Sequence, residues 1–323
     1  MKYIVFFAVF LSAGAGFVLP AAYAGDFSAW LAALRREAAG KGISQETVDT
    51  ALSDVKFLPR VIELDRKQPE GTMSFAKYRQ RVLPDSRINE GRRLYRQHRA
   101  ELDRAAQKYG VPAPYIVALW GIETSYGENT GGFGVVPALA TLAYDGRRSA
   151  YFRTELLNAL EIIDDGHISA AKMRGSWAGA MGQNQFMPSS FKRFAVDGNG
   201  DGRRDIWGSL PDVFASTANY LSTSGWNEDQ RWGREVSLPQ GFPKNLTGVD
   251  NFRPLSEWRG MGVTLPGGEP LPSGDTMRGA IVTPDGVTGQ AFLVYDNYKV
   301  IMRWNKSVYF ATSVGLLADR IAQ

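Results

Sequence analysis

Cysteine is absent from this sequence of 323 residues, and histidine occurs only twice. The chain therefore has no disulfide, no thiol nucleophile and no thiolate ligand for a metal ion. His98 and His167 lack the spacing of metal ligands, so each is interpreted as a surface or loop residue. These absences argue against a zinc centre and against cysteine-dependent catalysis.

Several other signatures are missing. The sequence has no G-x-S-x-G motif of serine hydrolases, and the glycine-rich run 128–136 matches neither the G-x-G-x-x-G spacing nor that of a P-loop. The net charge of +4 is small, and no long basic run occurs. This balance favours an acidic polymer over nucleic acid as a partner.

What is present begins with an export signal. Lys2 precedes the apolar run 4–18, and Ala22-Tyr23-Ala24 supplies small residues for cleavage. The alternative is an uncleaved membrane anchor, but the run is short for a span. We expect cleavage after Ala24 and, since no cysteine is available for lipid attachment, a soluble mature protein.

Apolar spacing and turn residues predict the secondary structure. Helices are expected over 27–39, 44–52, from 75 onward, over 86–109, 138–144, 151–164, 211–222 and 307–321. Segment 59–71 is predicted to be irregular. From Arg234 onward, runs 279–282 and 290–295 predict strands of a small antiparallel sheet, and 299–304 predicts one more strand or a crossing.

The segment 117–127 is the one around which the chain is organised. At helical spacing Ile116, Leu119, Trp120 and Glu123 fall on one face, so the carboxylate takes a position that the pattern reserves for a core residue. Removing a carboxylate from water raises its pKa and suits a proton donor. The alternative is that Glu123 lies at the edge of the face and reaches solvent. The spacing alone leaves both interpretations open.

Carboxylates, aromatic rings and amides suit the recognition and cleavage of sugars. Glycosidases normally use two carboxyl groups, one as acid and one as nucleophile or base. A second carboxylate is not obvious here. Asp145, Asp164 and Asp165 each lie beside a turn or loop, where a solvated aspartate is the simpler explanation.

A calcium loop is predicted over 197–205, with oxygen-bearing side chains at positions 1, 3, 5 and 9 and Gly202 at position 6. Position 12 is Gly208 rather than glutamate, so Asp212 would supply the last oxygen from a lengthened loop. The alternative is a run of Asn-Gly and Asp-Gly turns. We favour calcium, and the expected ligands are Asp197, Asn199, Asp201, Arg203 and Asp212.

Several motifs together resemble one family. They are Gly121-Ile122-Glu123-Thr124-Ser125-Tyr126-Gly127, Tyr144-Asp145-Gly146-Arg147-Arg148, Ser176-Trp177-Ala178-Gly179-Ala180-Met181-Gly182, Gln185-Phe186-Met187-Pro188-Ser189-Ser190, the segments 195–207 and 218–221, Asn305-Lys306-Ser307 and Gly315-Leu316-Leu317-Ala318. In this order they resemble the lytic murein transglycosylases of the B type over most of the mature chain.

The resemblance implies an α+β, mainly α fold: a lysozyme-like core with an N-terminal helical domain and a small inserted antiparallel β domain. The expected limits are a signal peptide at 1–24, the helical domain at 25–106, the catalytic core with the calcium loop at 107–233, the β domain at 234–300 and a segment returning to the core at 301–323.

The resemblance also implies a reaction that needs one carboxyl group. These enzymes cleave the bond between N-acetylmuramic acid and N-acetylglucosamine without water and form a 1,6-anhydro product. Glu123 would act as acid and then as base. A hydrolytic muramidase and a non-catalytic wall-binding scaffold are the alternatives. Calcium would be structural, and no cofactor is expected for catalysis.

Further roles are implied residue by residue. The residues matching substrate-contacting positions are Tyr78, Arg147, Arg148, Ser176, Gln185, Tyr220, Asn305 and Tyr309. For the arginines the alternative is a solvated turn. Two residues depart from the familiar pattern: Trp304 stands where a tyrosine is usual, and Asn184 replaces a small residue.

The remaining implications concern location and partners. The family often carries a lipidated cysteine, so its absence implies a soluble periplasmic form. Peptidoglycan glycan strands are the expected substrate. Penicillin-binding proteins or other wall-synthesis enzymes are expected partners, nucleic acid is not, and the protein is expected to be a monomer.

Overall fold

The computed structural model of the protein describes residues 27–67, 73–273 and 277–323. The predicted export signal therefore lies outside the described residues. The α-helices are α1 Phe27–Gly40, α2 Gln45–Leu52, α3 Pro59–Arg66, α4 Phe75–Val82, α5 Asp85–Gln97, α6 Arg99–Tyr109, α7 Ala113–Thr124, α8 Val135–Asp145, α9 Ser149–Asp164, α10 Pro188–Phe194, α11 Leu210–Thr223, α12 Leu255–Gly260, α13 Asp296–Trp304 and α14 Val308–Ile321. The strands are β1 Phe133–Gly134, β2 Arg174–Gly175, β3 Gly233–Val236, β4 Arg253–Pro254, β5 Arg278–Val282 and β6 Ala291–Val294.

These elements form two compact units, and each unit is built from two separate stretches of chain. The first unit comprises the described part of residues 1–70 together with 123–219. The second comprises the described part of 71–122 together with 220–323. Helices α7 and α11 both contain a boundary, so Glu123 belongs to the first unit although most of α7 belongs to the second.

The first unit is helical and has its core between α8 and α9. Leu139 and Leu156 are fully buried there. The buried carboxylate of Glu155 accepts hydrogen bonds from the backbone N–H of Ser189 at 2.8 Å and from its hydroxyl at 2.6 Å. This contact fixes the start of α10, since an acidic group at a helix N-terminus satisfies free backbone N–H groups. Strands β1 and β2, also in the first unit, pair antiparallel.

The second unit combines helices with a four-stranded antiparallel sheet in the order β3-β6-β5-β4. One face of this sheet is covered by a core of buried, mostly apolar side chains: Val236, Phe242, Leu255, Trp258, Val263, Leu271, Ile281, Ala291, Leu293 and Tyr295. The indole N–H of the fully buried Trp258 donates to the carbonyl of Gly279 at 2.9 Å. A buried indole needs such a partner, so this bond ties α12 to β5.

Most predicted elements are confirmed, and their ends follow the predicted signals. Ser44 caps α2 by accepting from the backbone N–H of Thr47, and Ser307 caps α14 by accepting from that of Phe310. Strands β5 and β6 occupy the two runs predicted for the small sheet. The mainly helical chain with small antiparallel sheets confirms the α+β class. The finer domain limits proposed above stay predictions.

Three secondary-structure predictions were wrong. Segment 59–71, predicted to be irregular, begins with helix α3, whose first residue Pro59 has the fixed φ that suits a helix start. Segment 299–304, predicted as a strand or crossing, belongs to α13, which buries Tyr298 and Ile301 on one side. The single helix predicted over 86–109 is two helices that meet at His98.

Candidate active site

Helix α7 carries the carboxylate that the sequence singled out. Residues 115–121 are all buried, so the helix is enclosed on every side rather than along one face. The predicted apolar stripe is therefore part of a uniformly buried segment, and the helical spacing does not distinguish Glu123. Glu123 lies near the C-terminal end of α7, where the chain becomes partly exposed. The position combines an apolar helix with access to solvent.

The end of α7 is anchored within the first unit by Thr124. Its hydroxyl donates to the carbonyl of Gln183 at 3.0 Å and accepts from the backbone N–H of Gly127 at 3.1 Å. Ser125, Tyr126 and Gly127 follow with φ values of 51°, 62° and 88°. Left-handed backbone at non-glycine residues is unfavourable and occurs at functional sites where the surroundings hold it. Thr124 therefore fixes the peptide that follows Glu123 against the 176–187 loop.

Ser176 and Gln185 lie on that loop, in the same unit as Glu123. The buried hydroxyl of Ser176 accepts from the backbone N–H groups of Ala178 at 3.2 Å and Ala180 at 3.0 Å. The side-chain amide of Gln185 donates to the carbonyls of Thr130 at 3.1 Å and Gly182 at 2.9 Å. The Gln185 side-chain oxygen is buried and has no hydrogen-bond partner in the structure. Ser176 thus stabilises the loop, whereas the side-chain oxygen of Gln185 is able to accept a further hydrogen bond.

The two predicted arginines share one carboxylate, that of Asp65 on α3. Arg147 Nε lies 2.7 Å from Asp65 Oδ2, and Arg148 Nη2 lies 2.9 Å from Asp65 Oδ1. A neighbouring ion pair joins Arg66 to Asp145 at 2.8 Å. The arginines are exposed but paired, so the turn is not simply solvated.

The four other predicted substrate residues lie in the second unit. Tyr78 is buried in an aromatic group, with ring centroids 6.5 Å from Phe75 and 5.5 Å from Tyr309. The partly exposed Tyr309 has a raised pKa, first because of burial and then because of the nearby Asp285 carboxylate. Asp285 also accepts from the backbone N–H groups of Phe75 and Ala76 at 2.5 and 3.0 Å. Asp285 therefore joins the β5–β6 connection to the start of α4.

Tyr220 and Asn305 make hydrogen bonds to the backbone. The Tyr220 hydroxyl donates to the carbonyl of Arg303 at 2.7 Å, and its ring centroid lies 4.6 Å from that of Trp304. The side-chain oxygen of the buried Asn305 accepts from the backbone N–H of Ser307 at 3.0 Å. Trp304, the departure noted above, thus packs against Tyr220 at the end of α13, with the two ring planes tilted by 59°.

The 197–212 loop is organised by carboxylates that accept backbone N–H groups. Asp197 accepts from Gly200 at 2.6 Å and Gly202 at 2.7 Å, and these bonds, that from Gly202 first, lower its pKa. Asp212 accepts from Gly198 at 2.9 Å and Asp205 at 2.7 Å. Asp212 is fully buried. Burial raises its pKa despite these bonds, and the Asp197 charge adds to the rise.

The chemistry of this loop fits a calcium ion in part. Asp197, Asn199, Asp201 and Asp212 supply side-chain oxygens, the ligands that calcium prefers, and a cation would offset the cost of burying the charge of Asp212. However, across the described ranges no group of three or more His, Asp or Glu side chains is placed to hold a metal. Calcium binding therefore stays a prediction.

Comparison with known proteins decides the family. The model of the family described as "Transglycosylase SLT domain" matches residues 26–319. The chain belongs to this family. It is also 31% identical over 297 residues to membrane-bound lytic murein transglycosylase B of Escherichia coli (strain K12), with 87% of this chain and 79% of the relative covered. This confirms the predicted enzyme class, lytic murein transglycosylase.

Solved structures of transglycosylases have the same fold. SltB3 from Pseudomonas aeruginosa, in complex with NAG-anhNAM-pentapeptide, matches with a TM-score of 0.90 and 45% identity, covering 92% of this chain and 80% of that chain. Lytic transglycosylase Slt35 of Escherichia coli, in complex with calcium, matches with a TM-score of 0.79 and 31% identity, covering 92% of this chain and 95% of that chain. These transglycosylase structures confirm the lysozyme-like fold class.

Sequence reasoning missed three residues that organise the predicted positions. Asp65 lay in a segment predicted to be irregular, Thr124 was read only as part of a motif, and Asp285 lay between two predicted strands. An aspartate at the end of the Pro59 helix was the available signal for Asp65. For Asp285 the sequence offered none, because its partners at Phe75 and Ala76 are about two hundred residues away.

Proposed function

We propose that this transglycosylase cleaves the β-1,4 bond between N-acetylmuramic acid and N-acetylglucosamine in peptidoglycan without water and leaves a 1,6-anhydromuramoyl end. The observation that carries the proposal is a partly exposed glutamate, Glu123, at the end of a buried helix in this fold. The similarity to SltB3 in complex with a ligand that contains an anhydro sugar supports the same product.

Glu123 acts first as an acid and then as a base. Its carboxyl group donates a proton to the glycosidic oxygen as the bond from that oxygen to C1 breaks. The C6 hydroxyl of the muramoyl sugar then bonds to C1, and its proton passes to the Glu123 carboxylate. The acid is restored and no water is consumed. The C-terminus of a helix carries a partial negative charge, which disfavours the ionised form of a nearby carboxyl group. The position of Glu123 near the end of α7 therefore suits a proton donor.

The surroundings of two of the three other candidate carboxylates, Asp145 and Asp164, support the single-acid mechanism. Asp145 is paired with Arg66. Asp164 accepts from the backbone N–H of Ser44 at 3.2 Å and from its hydroxyl, and the bonds from Ser44 and Thr47 lower its pKa. A carboxylate held by such donors is stabilised as an anion. Each has a structural role that does not require substrate.

We also propose that the residues implied by the resemblance contact the glycan strand. Arg147, Arg148, Ser176 and Gln185 are the proposed contacts of the first unit, and the unpaired Gln185 oxygen is suited to accept from a sugar hydroxyl or acetamido group. Tyr78, Tyr220, Asn305 and Tyr309 are those of the second unit.

Mass spectrometry of digested sacculi tests the reaction. Wild-type protein should release products that lack a reducing end and are lighter by one water than hydrolysis products. Glu123→Gln should abolish cleavage, by about a thousandfold or more, because the amide cannot donate and accept the proton, while binding of sacculi is retained. The variant Glu128→Gln, at an exposed position five residues further on, is the matched control and should cleave normally.

Two outcomes would overturn the proposal. Products with reducing ends would identify a hydrolytic muramidase. Binding without cleavage by the wild-type protein would identify a wall-binding scaffold.

We further propose that the 197–212 loop binds a structural calcium ion through Asp197, Asn199, Asp201, Arg203 and Asp212. The Arg203 contribution would be its backbone carbonyl, as at the seventh position of such loops. The calcium complex of the similar Slt35 supports this assignment. Calcium takes no part in the proton transfers, which Glu123 performs.

The proposed location is the periplasm, after cleavage near Ala24. Among the described residues, no helix is long and apolar enough to cross a membrane. A monomeric state and an association with penicillin-binding proteins or other wall-synthesis enzymes stay predictions of the family resemblance.

A further inference from the structure

Asp65 is buried against the two arginines proposed to meet the glycan strand. Its side chain is 1% exposed, whereas those of Arg147 and Arg148 are 52% and 34% exposed. Arg147 contacts it three times, through Nε and Nη2 to carboxylate oxygen Oδ2 at 2.7 and 2.5 Å, and through Nη2 to the Asp65 carbonyl at 3.1 Å. Arg148 contacts the other carboxylate oxygen at 2.9 Å. One carboxylate therefore fixes both guanidinium groups while leaving part of each exposed.

The backbone at this turn depends on such an anchor. Arg148 has a φ of 58° and precedes the first residue of α9 without a side-chain cap. A bulky residue keeps left-handed backbone only where its surroundings hold it. Two contacts hold Arg148 here: the Asp65 carboxylate, and the face of the buried Phe152 ring, 4.9 Å from the guanidinium carbon.

We propose that Asp65 is a positioning residue that orients Arg147 and Arg148 for the peptidoglycan strand. The inference rests on the proposed function. A shared carboxylate that makes charge-assisted hydrogen bonds restricts the rotamers of both long side chains before binding, so less conformational entropy is lost when the strand binds. Asp65 is itself too buried to contact the substrate.

A purely electrostatic role for Asp65 and a positioning role predict opposite changes in strand binding when Asp65 is replaced. One carboxylate between two guanidinium groups leaves one net positive charge. If Asp65 only reduced that charge, its removal would strengthen the attraction for anionic strands. If Asp65 positions the arginines, its removal weakens binding even though the local positive charge rises.

The test measures KM and kcat on sacculi for Asp65→Asn and Asp65→Glu, and sacculus binding by the same variants in a Glu123→Gln background. Positioning predicts that Asp65→Asn raises KM and weakens binding about tenfold, because the two arginine side chains would then lose more conformational freedom on binding, with kcat little changed. Asp65→Glu keeps the charge but lengthens the side chain, so it should show a smaller rise in KM.

Arg66→Gln is the matched control, because Arg66 follows Asp65 on α3 and pairs with Asp145 of α8, so the substitution breaks that pair without touching Arg147 or Arg148. It should keep the wild-type KM. All variants are assayed below their melting temperatures. If Asp65→Asn does not fold, the Asp65→Glu result decides, and a wild-type KM for it overturns the proposal.

The outcomes separate this inference from the proposed function. An unchanged or lower KM with Asp65→Asn overturns positioning while cleavage stands. If the wild-type protein binds the strand without cleaving it, and Asp65→Asn weakens that binding, the cleavage mechanism is overturned and positioning is supported. Absence of both binding and cleavage would overturn both.

Discussion

At the scale of single residues, the carboxylates of the first unit differ in the groups to which they are hydrogen-bonded. Glu155 holds the start of α10, Asp65 holds two arginines, and Asp164 holds Ser44 at the start of α2. Substituting any of these should first affect stability or positioning. Only Glu123 is proposed to transfer protons, so only its substitution should remove the chemical step while leaving the fold intact.

Gly131 illustrates how closely the backbone approaches itself beside the loop that carries Ser176. It has a φ of 100°, and a Cβ there would lie 2.1 Å from the carbonyl oxygen of Gly175. Gly131→Ala should therefore lower the free energy of unfolding by about 2 to 4 kcal/mol, combining left-handed strain with overlap of backbone atoms. Thermal or denaturant unfolding measures the change.

The adjacent Gly132 provides the control for this prediction. A Cβ at Gly132 would have nothing within 4 Å, and its φ lies outside the left-handed region. Gly132→Ala should leave stability unchanged or slightly increase it, because alanine reduces the freedom of the unfolded chain. Equal effects of the two substitutions would contradict the close approach described for Gly131.

At the scale of elements, helix ends set the geometry of the predicted site. α7 ends where Thr124 bonds to Gln183, and α14 begins where Ser307 accepts from Phe310. Asp285 satisfies N–H groups at the start of α4, the helix that carries Tyr78. Because the first backbone N–H groups of a helix need acceptors, the contacts made by Ser307 and Asp285 fix where α14 and α4 start.

The 197–212 loop supports a prediction about metal removal. A chelator should lower the melting temperature by about 5 °C from a state with a hundredfold excess of calcium over its Kd, since an ion bound only by the folded protein stabilises it by about 2.7 kcal/mol. Returning calcium should restore the original value. Differential scanning calorimetry measures both.

Variants assign that change to the loop. Asp197→Asn should remove the effect of the chelator, because the first loop position supplies a ligand charge. Asp250→Asn, an exposed position outside the loop, should keep it. If the chelator leaves the melting temperature unchanged and elemental analysis finds no metal in the purified protein, the proposed calcium site is contradicted.

At the scale of the whole molecule, a net charge of +4 and a pI near 9.2 favour association with an anionic wall polymer. Binding of Glu123→Gln protein to sacculi should weaken as salt rises from 0.1 to 1 M, because the screening length falls from about 10 Å to about 3 Å. Sedimentation with sacculi measures this. Because the charge is small, we expect a several-fold loss rather than complete release.

A neutral polymer of similar glycan structure is the control for charge. Binding to chitin oligosaccharides, which lack the peptide carboxylates, should change little with salt. If both ligands respond equally to salt, a general effect on the protein rather than attraction to anionic groups would explain the result.

The sequence predicted the elements that are marked by local patterns along the chain better than those that depend on distant residues. The helices 27–40, 149–164 and 308–321 and the strands 278–282 and 291–294 follow from local apolar spacing and capping residues. Helices α3 and α13 were missed although their apolar residues follow helical spacing, because segments of eight and nine residues give too short a pattern to separate a helix from a loop or strand. The motifs around Glu123 and Arg147 identified the family, which the comparison of the chain confirms.

The sequence by itself determined the enzyme class and the mainly helical fold, because these follow from contiguous motifs and local spacing. The role of Glu123 as the acid is a proposal that rests on its motif. Only the tertiary structure decided what surrounds the predicted residues: Asp65 beside Arg147, Asn305 bonded to Ser307, and a helix α7 buried on all sides. The physical reason is distance along the chain. Asp65 and Arg147 are separated by 82 residues, and nothing local to either records that folding brings their charges together.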